Sequence, residues 1–283
     1  LAGSLGKRSE DNGMLFFNRK ERGINITVLA ANPQVKYYVY AQIAMLASVI
    51  VLSSKNVDAL FGEMLVASSL LGKKVIITDD SEVSGLLNGL SIDYEVVPRE
   101  ALLSKLVSFS PLNSQSGFSE VNIDRAFPVN GVGDVALGIV THGSVRKHDV
   151  LFHNSGTQVT IRSIQILDED TESADEGTRV GISLKGIKYD EIERGDVLAS
   201  NQVKPVKSFK ARINMSRFVK GSGAEGRWQF VKNFSVSNAT VEKSEDALKI
   251  DLDKAVPLKD GDSFLLVRNE IPRIAASGTV VLS

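Results

Sequence analysis

The stretch GTRVGISLKGIKYDEIERGDVLA, residues 177–199, decides how the rest of the chain is read. Two short apolar runs flank a charged turn, EIERG (191–195), and no apolar residues recur at helical spacing. Gly181 lies inside the first run, where a missing Cβ lets one strand pass close to its neighbour. The turn sends the chain back into the same sheet. The pattern predicts short strands of a small closed barrel.

The same grammar extends in both directions. Upstream, RAFPVNGVGDVALGIVTHGSV (125–145), DVLFHNS (149–155) and TQVTIRSIQIL (157–167) read as strands separated by Gly, Asn and Asp turns. Gly131 and Gly133 supply the positive φ that a tight hairpin needs. Downstream, a second set begins at residue 204: SFKARINMSRF, RWQFVKNFSVSNATV, ALKIDLD, DSFLLVR and ASGTVVLS. Two successive all-β units of similar length predict two small barrels, 121–203 and 204–283. Closure would remove the sheet edges that otherwise aggregate.

Before residue 110 the period changes. INITVLAA (24–31), SVIVLSS (48–54), KKVIITDD (73–80) and DYEVVP (93–98) read as strands, the first two as buried ones. Between them, VKYYVYAQIAMLA (35–47), DALFGEMLVASSLLG (58–72), SEVSGLLNGL (81–90) and REALLSKLVSF (99–109) read as helices, the second closed by Gly72. Alternating strands and helices predict an α/β layer on a parallel sheet over 1–110. SPLNSQSGFSE (110–120) reads as the linker. The expected fold class is therefore α/β plus all-β.

The opening LAGSLGKRS (1–9) resembles a phosphate loop but fails its spacing. With Gly6-Lys7 as the glycine–lysine pair, the earlier glycine falls on Leu1 and the Mg²⁺-binding hydroxyl on Arg8. The reading kept is the end of a short helix.

Composition excludes several functions. The chain has 283 residues, 43% hydrophobic and 24% charged, which suits soluble domains with real cores. It has no cysteine, so disulfides and thiolate metal sites are excluded, and three histidines do not suggest a His-rich metal cluster. No apolar run is long enough to span a bilayer. Leu1 begins without Met or a signal peptide, so the expectation is a cytoplasmic chain, monomeric and not membrane-bound, with residues missing upstream. Net charge is −1, but it is unevenly placed. Residues 121–203 hold 8 Lys/Arg against 13 Asp/Glu, whereas 204–283 hold 14 against 9. KPVKSFKARINMSRFVK (204–220) carries Lys204, Lys207, Lys210, Arg212, Arg217 and Lys220 and no acid. Interleaved cations of this kind suit phosphates.

The two stretches RAFPVNGVGDVALGIVTHGSVRKHDVL (125–151) and GTRVGISLKGIKYDEIERGDVLA together resemble domain 2 of the EF-Tu/SelB translation factors, with over twenty positions in order. PLKDGDSFLLVR (257–268) followed by ASGTVVLS resembles domain 3 of the same family, more weakly. Among such factors, the chain looks most like the divergent SelB-like ones of methanogenic archaea, which keep three domains around a degraded G domain. The resemblance implies a degenerate G-domain-like unit over 1–110, whose N-terminal strand and P-loop would lie upstream of Leu1.

Within that frame KERGINI (20–26) resembles the end of switch I, with Asn25 in place of the Mg²⁺-binding Thr. ITVLAANPQ (26–34) resembles the strand into D-x-P-G-H, with Ala30 at the Asp position and Gln34 at the water-orienting His. KKVIITDDS (73–81) resembles the strand into the guanine reader N-K-x-D, with Thr78, Asp79 and Ser81 at the reading positions. These losses strike metal binding, water positioning and base reading together, on which phosphoryl transfer depends. The resemblance also implies that Asp124, Arg125 and Phe127 line the pocket for the aminoacyl end of tRNA. Arg125 departs there from the family's acid. The implied function is binding of aminoacyl-tRNA or the ribosome with weak or no GTP hydrolysis, GTP and Mg²⁺ belonging to the longer protein if to any. Two alternatives stand beside it. One is an active translational GTPase whose P-loop lies upstream. The other is a non-catalytic protein-binding module using the acidic loop DEDTESADE (168–176). Asp79-Asp80 and Asp168-Glu169-Asp170 are the carboxylate runs a divalent cation would choose, although such runs are more often simply solvated.

Overall fold

The computed structural model describes residues 3, 5–55, 57–78, 83, 87, 92–109, 117–220, 223–244 and 247–282. Three strands open the chain, β1 (Lys7–Asp11), β2 (Met14–Glu21) and β3 (Ile24–Ala31), as an antiparallel meander. Two-residue turns set its register. Asn12-Gly13 and Arg22-Gly23 all have positive φ, as the mirror-image hairpin turn requires. Of LAGSLGKRS, residues 7–9 begin β1 rather than end a helix, while residues 1, 2 and 4 lie outside the described residues. Leu5 is buried among Ile76, Val97 and Leu102, and a Cβ on Gly6 would sit 2.5 Å from the Asn18 carbonyl oxygen. Gly6 permits close packing on β2 rather than a phosphate cradle.

Next come α1 (Tyr37–Leu46), β4 (Ile50–Ser53), α2 (Ala59–Leu71), β5 (Val75–Thr78), β6 (Tyr94–Val96), a 3₁₀ turn (Arg99–Ala101) and α3 (Leu102–Ser108). The strands β4-β5-β6 form a parallel sheet, as predicted. INITVLAA is a strand, but it pairs antiparallel with β2, and all eight of its residues are only half-buried. The expected single parallel layer is therefore two sheets. They share one apolar cluster, in which Ile26 and Val28 meet Val49, Val51 and Ile76. Of the predicted helix 81–90 only residues 83 and 87 are described, and of the linker only 117–120, where Glu120 already belongs to the following strand.

Helix ends follow local chemistry. Asp58 accepts the Phe61 N–H at 2.9 Å and Gly72 closes α2 at φ 62. Lys73 donates to the carbonyls of Ala44, Met45 and Ala47 at 2.6–2.7 Å, capping α1. Burial pushes this ammonium down to about 8.

The first barrel runs from β7 (Glu120–Val129) through β8 (Gly133–His142), β9 (Ser144–Arg146), β10 (Val150–His153), β11 (Gln158–Ile166), β12 (Glu169–Thr171), β13 (Ser173–Asp175) and β14 (Arg179–Lys185) to β15 (Val197–Ala199). Its order is β10-β15-β7-β8-β14-β11-β12, and a β10–β11 pairing closes the ring. Gly131 and Gly133 have φ 79 and 100, as the hairpin demanded. The second barrel is closed in the order β16-β19-β18-β17-β20-β21, built from β16 (Pro205–Met215), β17 (Gly226–Lys232), β18 (Ser235–Ser244), β19 (Ala247–Pro257), β20 (Ser263–Val267) and β21 (Ile274–Val281). RWQFVKNFSVSNATV, read as one run, is a hairpin that turns at Asn233, whose φ is 50.

The α/β unit packs on both barrels. Ala41 and Ala44 of α1 and Met64 and Ala67 of α2 cover Val231, Leu265, Val267 and Ile274 on the outside of the second barrel. Met14 and Phe16 meet Ile139 of the first barrel and Phe234 of the second.

Candidate functional site: barrel surfaces and the three-unit junction

A bulge places Asp124. Ile123 pairs with Gly138 and Arg125 with Leu137, so Asp124 is the extra residue on β7. Ile123 and Asp124 are consequently both buried, at 0% and 1% exposure. Asp124 meets the Arg179 Nη2 at 2.7 Å, and Arg179 lies 3.4 Å from the centre of the Phe16 ring. Arg194 donates to Asp11 and, at 3.4 Å, to the Asp124 carbonyl, while stacking on Phe234 at 4.8 Å. The Asp124 carboxylate is close to Arg179 but has no aligned hydrogen bond among the described residues. Burial pushes it up to about 6, against the pull of Arg179 and Arg194. Asp124, expected to line a pocket for the aminoacyl end of tRNA, is buried with its carboxylate toward Arg179. It is an ion-pair partner at the junction of the three units. Arg125 is exposed and Phe127 half-buried, with the guanidinium 5.2 Å from the ring centre.

A second ionic set, missed by the sequence reading, joins the two barrels. Glu120 is fully buried and accepts from Lys259 at 2.9 Å and from Asn122 at 2.8 Å. Lys232 meets Asp262 at 2.8 Å. Burial alone would raise the Glu120 carboxyl, but His142, Lys232 and Lys259 hold it well below the usual range. Its signal in the sequence was weak: a Glu at the first residue of an apolar strand.

His153, Ser155 and Asp196 superficially match a nucleophile, base and orienter. Ser155 Oγ lies 2.8 Å from Nδ1 and Asp196 Oδ2 lies 3.0 Å from Nε2. The surrounding bonds assign another role. The Thr157 N–H points at Ser155 Oγ itself, and the Gly156 N–H is spent on the His153 carbonyl, so neither is left to hold an oxyanion. Asp196 also accepts from Asn154 and the Glu193 N–H. The set ties the β10–β11 turn to the EIERGD turn.

The positions that resemble nucleotide motifs are scattered. Asn25 and Ala30 lie on opposite faces of β3, five residues or about 17 Å apart. Ala30 is held in the β2 ladder opposite Leu15, and Gln34 follows in a left-handed conformation, φ 70. Thr78 ends β5, fully buried, so its hydroxyl does not face a base from outside. Asp79 and Ser81 lie outside the described residues. Ala30 has no side-chain oxygen to offer a metal, and Gly6 packs on the Asn18 backbone. In the acidic loop, Asp168 pairs with Lys7, and Gln165 donates to Asp170 at 2.9 Å.

The basic stretch stands outward. Lys204, Lys207, Lys210, Arg212, Arg217 and Lys220 are all exposed. On β16, Lys210 and Arg212 alternate with the buried Phe209 and Ala211. Their strand is opposite β17 in the ring. A polar groove of 520 Å³ lies on that opposite side, lined by Arg227, Gln229, Asn238, Thr240, Asp253 and Arg268 among others.

Residues 133–199 match the model of elongation factor Tu domain 2. An uncharacterised protein of Methanocaldococcus jannaschii is 34% identical over 180 residues, 62% of this chain and 58% of that protein. The selenocysteine-specific elongation factor of the same organism is 25% identical over 198 residues, 59% of this chain and 42% of that protein. The chain thus spans about half the length of these relatives. The apo crystal structure of elongation factor SelB from Methanococcus maripaludis superposes with a TM-score of 0.76 at 19% identity, over 97% of this chain and 73% of that one.

Proposed function

We propose that this chain, EF-Tu/SelB-like in its first barrel and in its overall fold, is a translation factor that binds aminoacyl-tRNA or the ribosome without efficient GTP hydrolysis. The observation that carries this reading is the exposed cation row on β16 and the turn after it, acid-free from 204 to 220. Phosphate oxygens are the partners that such a row suits. Arg125 and Phe127 on the first barrel are the second contact proposed, with the exposed guanidinium and the ring offering hydrogen bonds and stacking to an unpaired 3′ nucleotide. Asp124 supports that strand from beneath through Arg179. The residue types at Ala30 and Thr78 favour loss of phosphoryl transfer, because positioning and charge neutralisation are what that reaction asks of a protein. We read residues 1–110 as a degenerate G-domain-like unit, 111–120 as its linker, and 121–203 and 204–283 as the two barrels.

The test pairs two measurements on one preparation. Calorimetry and phosphate release with GTP should show no hydrolysis above background, with or without ribosomes. Filter binding should retain aminoacylated tRNA, and Arg125→Ala with Phe127→Ala should narrow its preference over deacylated tRNA. Ribosome-stimulated GTP turnover, or tRNA retained equally with and without its aminoacyl group, would overturn the corresponding half.

A further inference from the structure

At the end of β16 the basic row meets an aromatic side chain that the nucleotide motifs and the barrel cores leave unused. Phe218 is 47% exposed. Its turn is firmly held. Ser216 is buried and donates its N–H to the Ala275 carbonyl at 2.8 Å, and the Val219 N–H bonds the Ser216 carbonyl at 3.0 Å. Val219 packs against the second barrel's core. The two residues flanking the Arg217-Phe218 pair are therefore anchored, and the ring between them is presented to solvent. The Arg217 guanidinium stacks on that ring at 4.9 Å.

The neighbourhood identifies the chemistry. Lys210, Arg212 and Lys220 are exposed on the same strand and turn. Lys210 and Arg212 are two residues apart on one face, about 6.7 Å, close to the rise of two stacked nucleotides, about 6.8 Å. Asp251, opposite Ser208 in the ladder, is paired with Lys249 at 2.8 Å. An isolated exposed phenylalanine needs no explanation by itself. One pinned outward, sandwiched with arginine and continuous with a cation row has the parts of a base-stacking platform beside a phosphate track.

We propose that Arg217 and Phe218 form a stacking site for an unpaired nucleobase of RNA, whose backbone runs along Lys210 and Arg212. The proposal rests on the RNA-binding reading above and adds to it. It says that this end of the second barrel prefers single-stranded or bulged RNA over continuous duplex.

The probe is a fluorescein-labelled 12-nucleotide oligoadenylate, set against a labelled blunt-ended 12-base-pair RNA duplex, with binding read by anisotropy across a salt series. Phe218→Ala should weaken oligoadenylate binding about tenfold. It should leave the salt slope and the duplex affinity unchanged. Phe218→Trp should restore affinity, and its added indole fluorescence should quench on binding. Lys210→Glu with Arg212→Glu should instead flatten the salt slope for both RNAs. If Phe218→Ala binds both RNAs as the wild type does while the charge reversals weaken them, the stacking site is wrong, the RNA-binding reading survives, and the ring belongs to a protein-docking face. If the wild type binds neither RNA at low salt, both fall.

Discussion

The bulge in β7 buries Asp124 at the junction beside Arg179, Arg194 and Phe16. Burial raises it from 3.8 to about 6, so the folded state holds its proton more tightly than the unfolded chain does. Folding therefore takes up a proton between about pH 4 and pH 6, and this group's contribution to stability falls as pH rises through that window and is level above it. Two units correspond to at most about 3 kcal/mol. Glu120 and Asp196 shift the opposite way, so their contributions are lost only as pH falls below the ordinary carboxylate range. Urea titrations of wild type and Asp124→Asn at pH 4.2 and 6.8 check this. The wild type should lose stability relative to the variant between the two values, and a constant difference would contradict the assignment. Glu63 permits a simpler prediction. Its buried carboxylate accepts the Arg273 and Ile274 N–H groups at 2.7 and 2.9 Å, fastening α2 to β21. Glu63→Ala should cost about 1–3 kcal/mol by leaving those donors unpaired, as read from the urea midpoint.

At the scale of elements, glycine placement is decisive on β21. A Cβ on Gly278 would lie 2.1 Å from the ring of Phe264, which is fully buried against Phe230 and Phe209 and has nowhere to move. Gly278→Ala should lower stability by about 1–3 kcal/mol through overpacking, seen as a lower melting temperature, and pairing it with Phe264→Leu should recover part of the loss. Many elements were readable in advance because period and turn chemistry agree: the two barrels, α1, α2 and the parallel trio β4-β5-β6. The first strands were not. LAGSLGKRS has glycines and cations that suit a helix end, and only the Asn12-Gly13 and Arg22-Gly23 pairs announce a meander. The site was less legible still. Exposure of the cations on β16 follows from their alternation with Phe209 and Ala211. Burial of Asp124 depends on a bulge that leaves no local mark, and the Glu120–Lys259 pair joins residues 139 apart.

The α/β unit shares buried apolar clusters with both barrels. SFLLV (263–267) is apolar without alternation because β20 is buried on both faces, the inner by its own barrel and the outer by α1 and α2. Covering Val231, Leu265, Val267 and Ile274 contributes about 1.5–3 kcal/mol each. Residues 117–283 expressed alone should therefore bind an apolar dye and melt lower than the full chain, which should unfold in a single calorimetric transition. Two well-separated transitions in the full chain would show that the α/β unit is merely tethered. Among the described residues no helix is long and apolar enough to cross a membrane.

The proposed function requires that the phosphate track of the second barrel hold RNA independently of nucleotide. The most direct measurement is the slope of log K against log salt for aminoacylated tRNA, with and without GTP, for wild type and for Lys207→Glu with Lys210→Glu. The slope should be steep and negative, shallower by about two charges' worth in the variant and indifferent to GTP. A slope near zero, or one that the variant leaves unchanged, would contradict it.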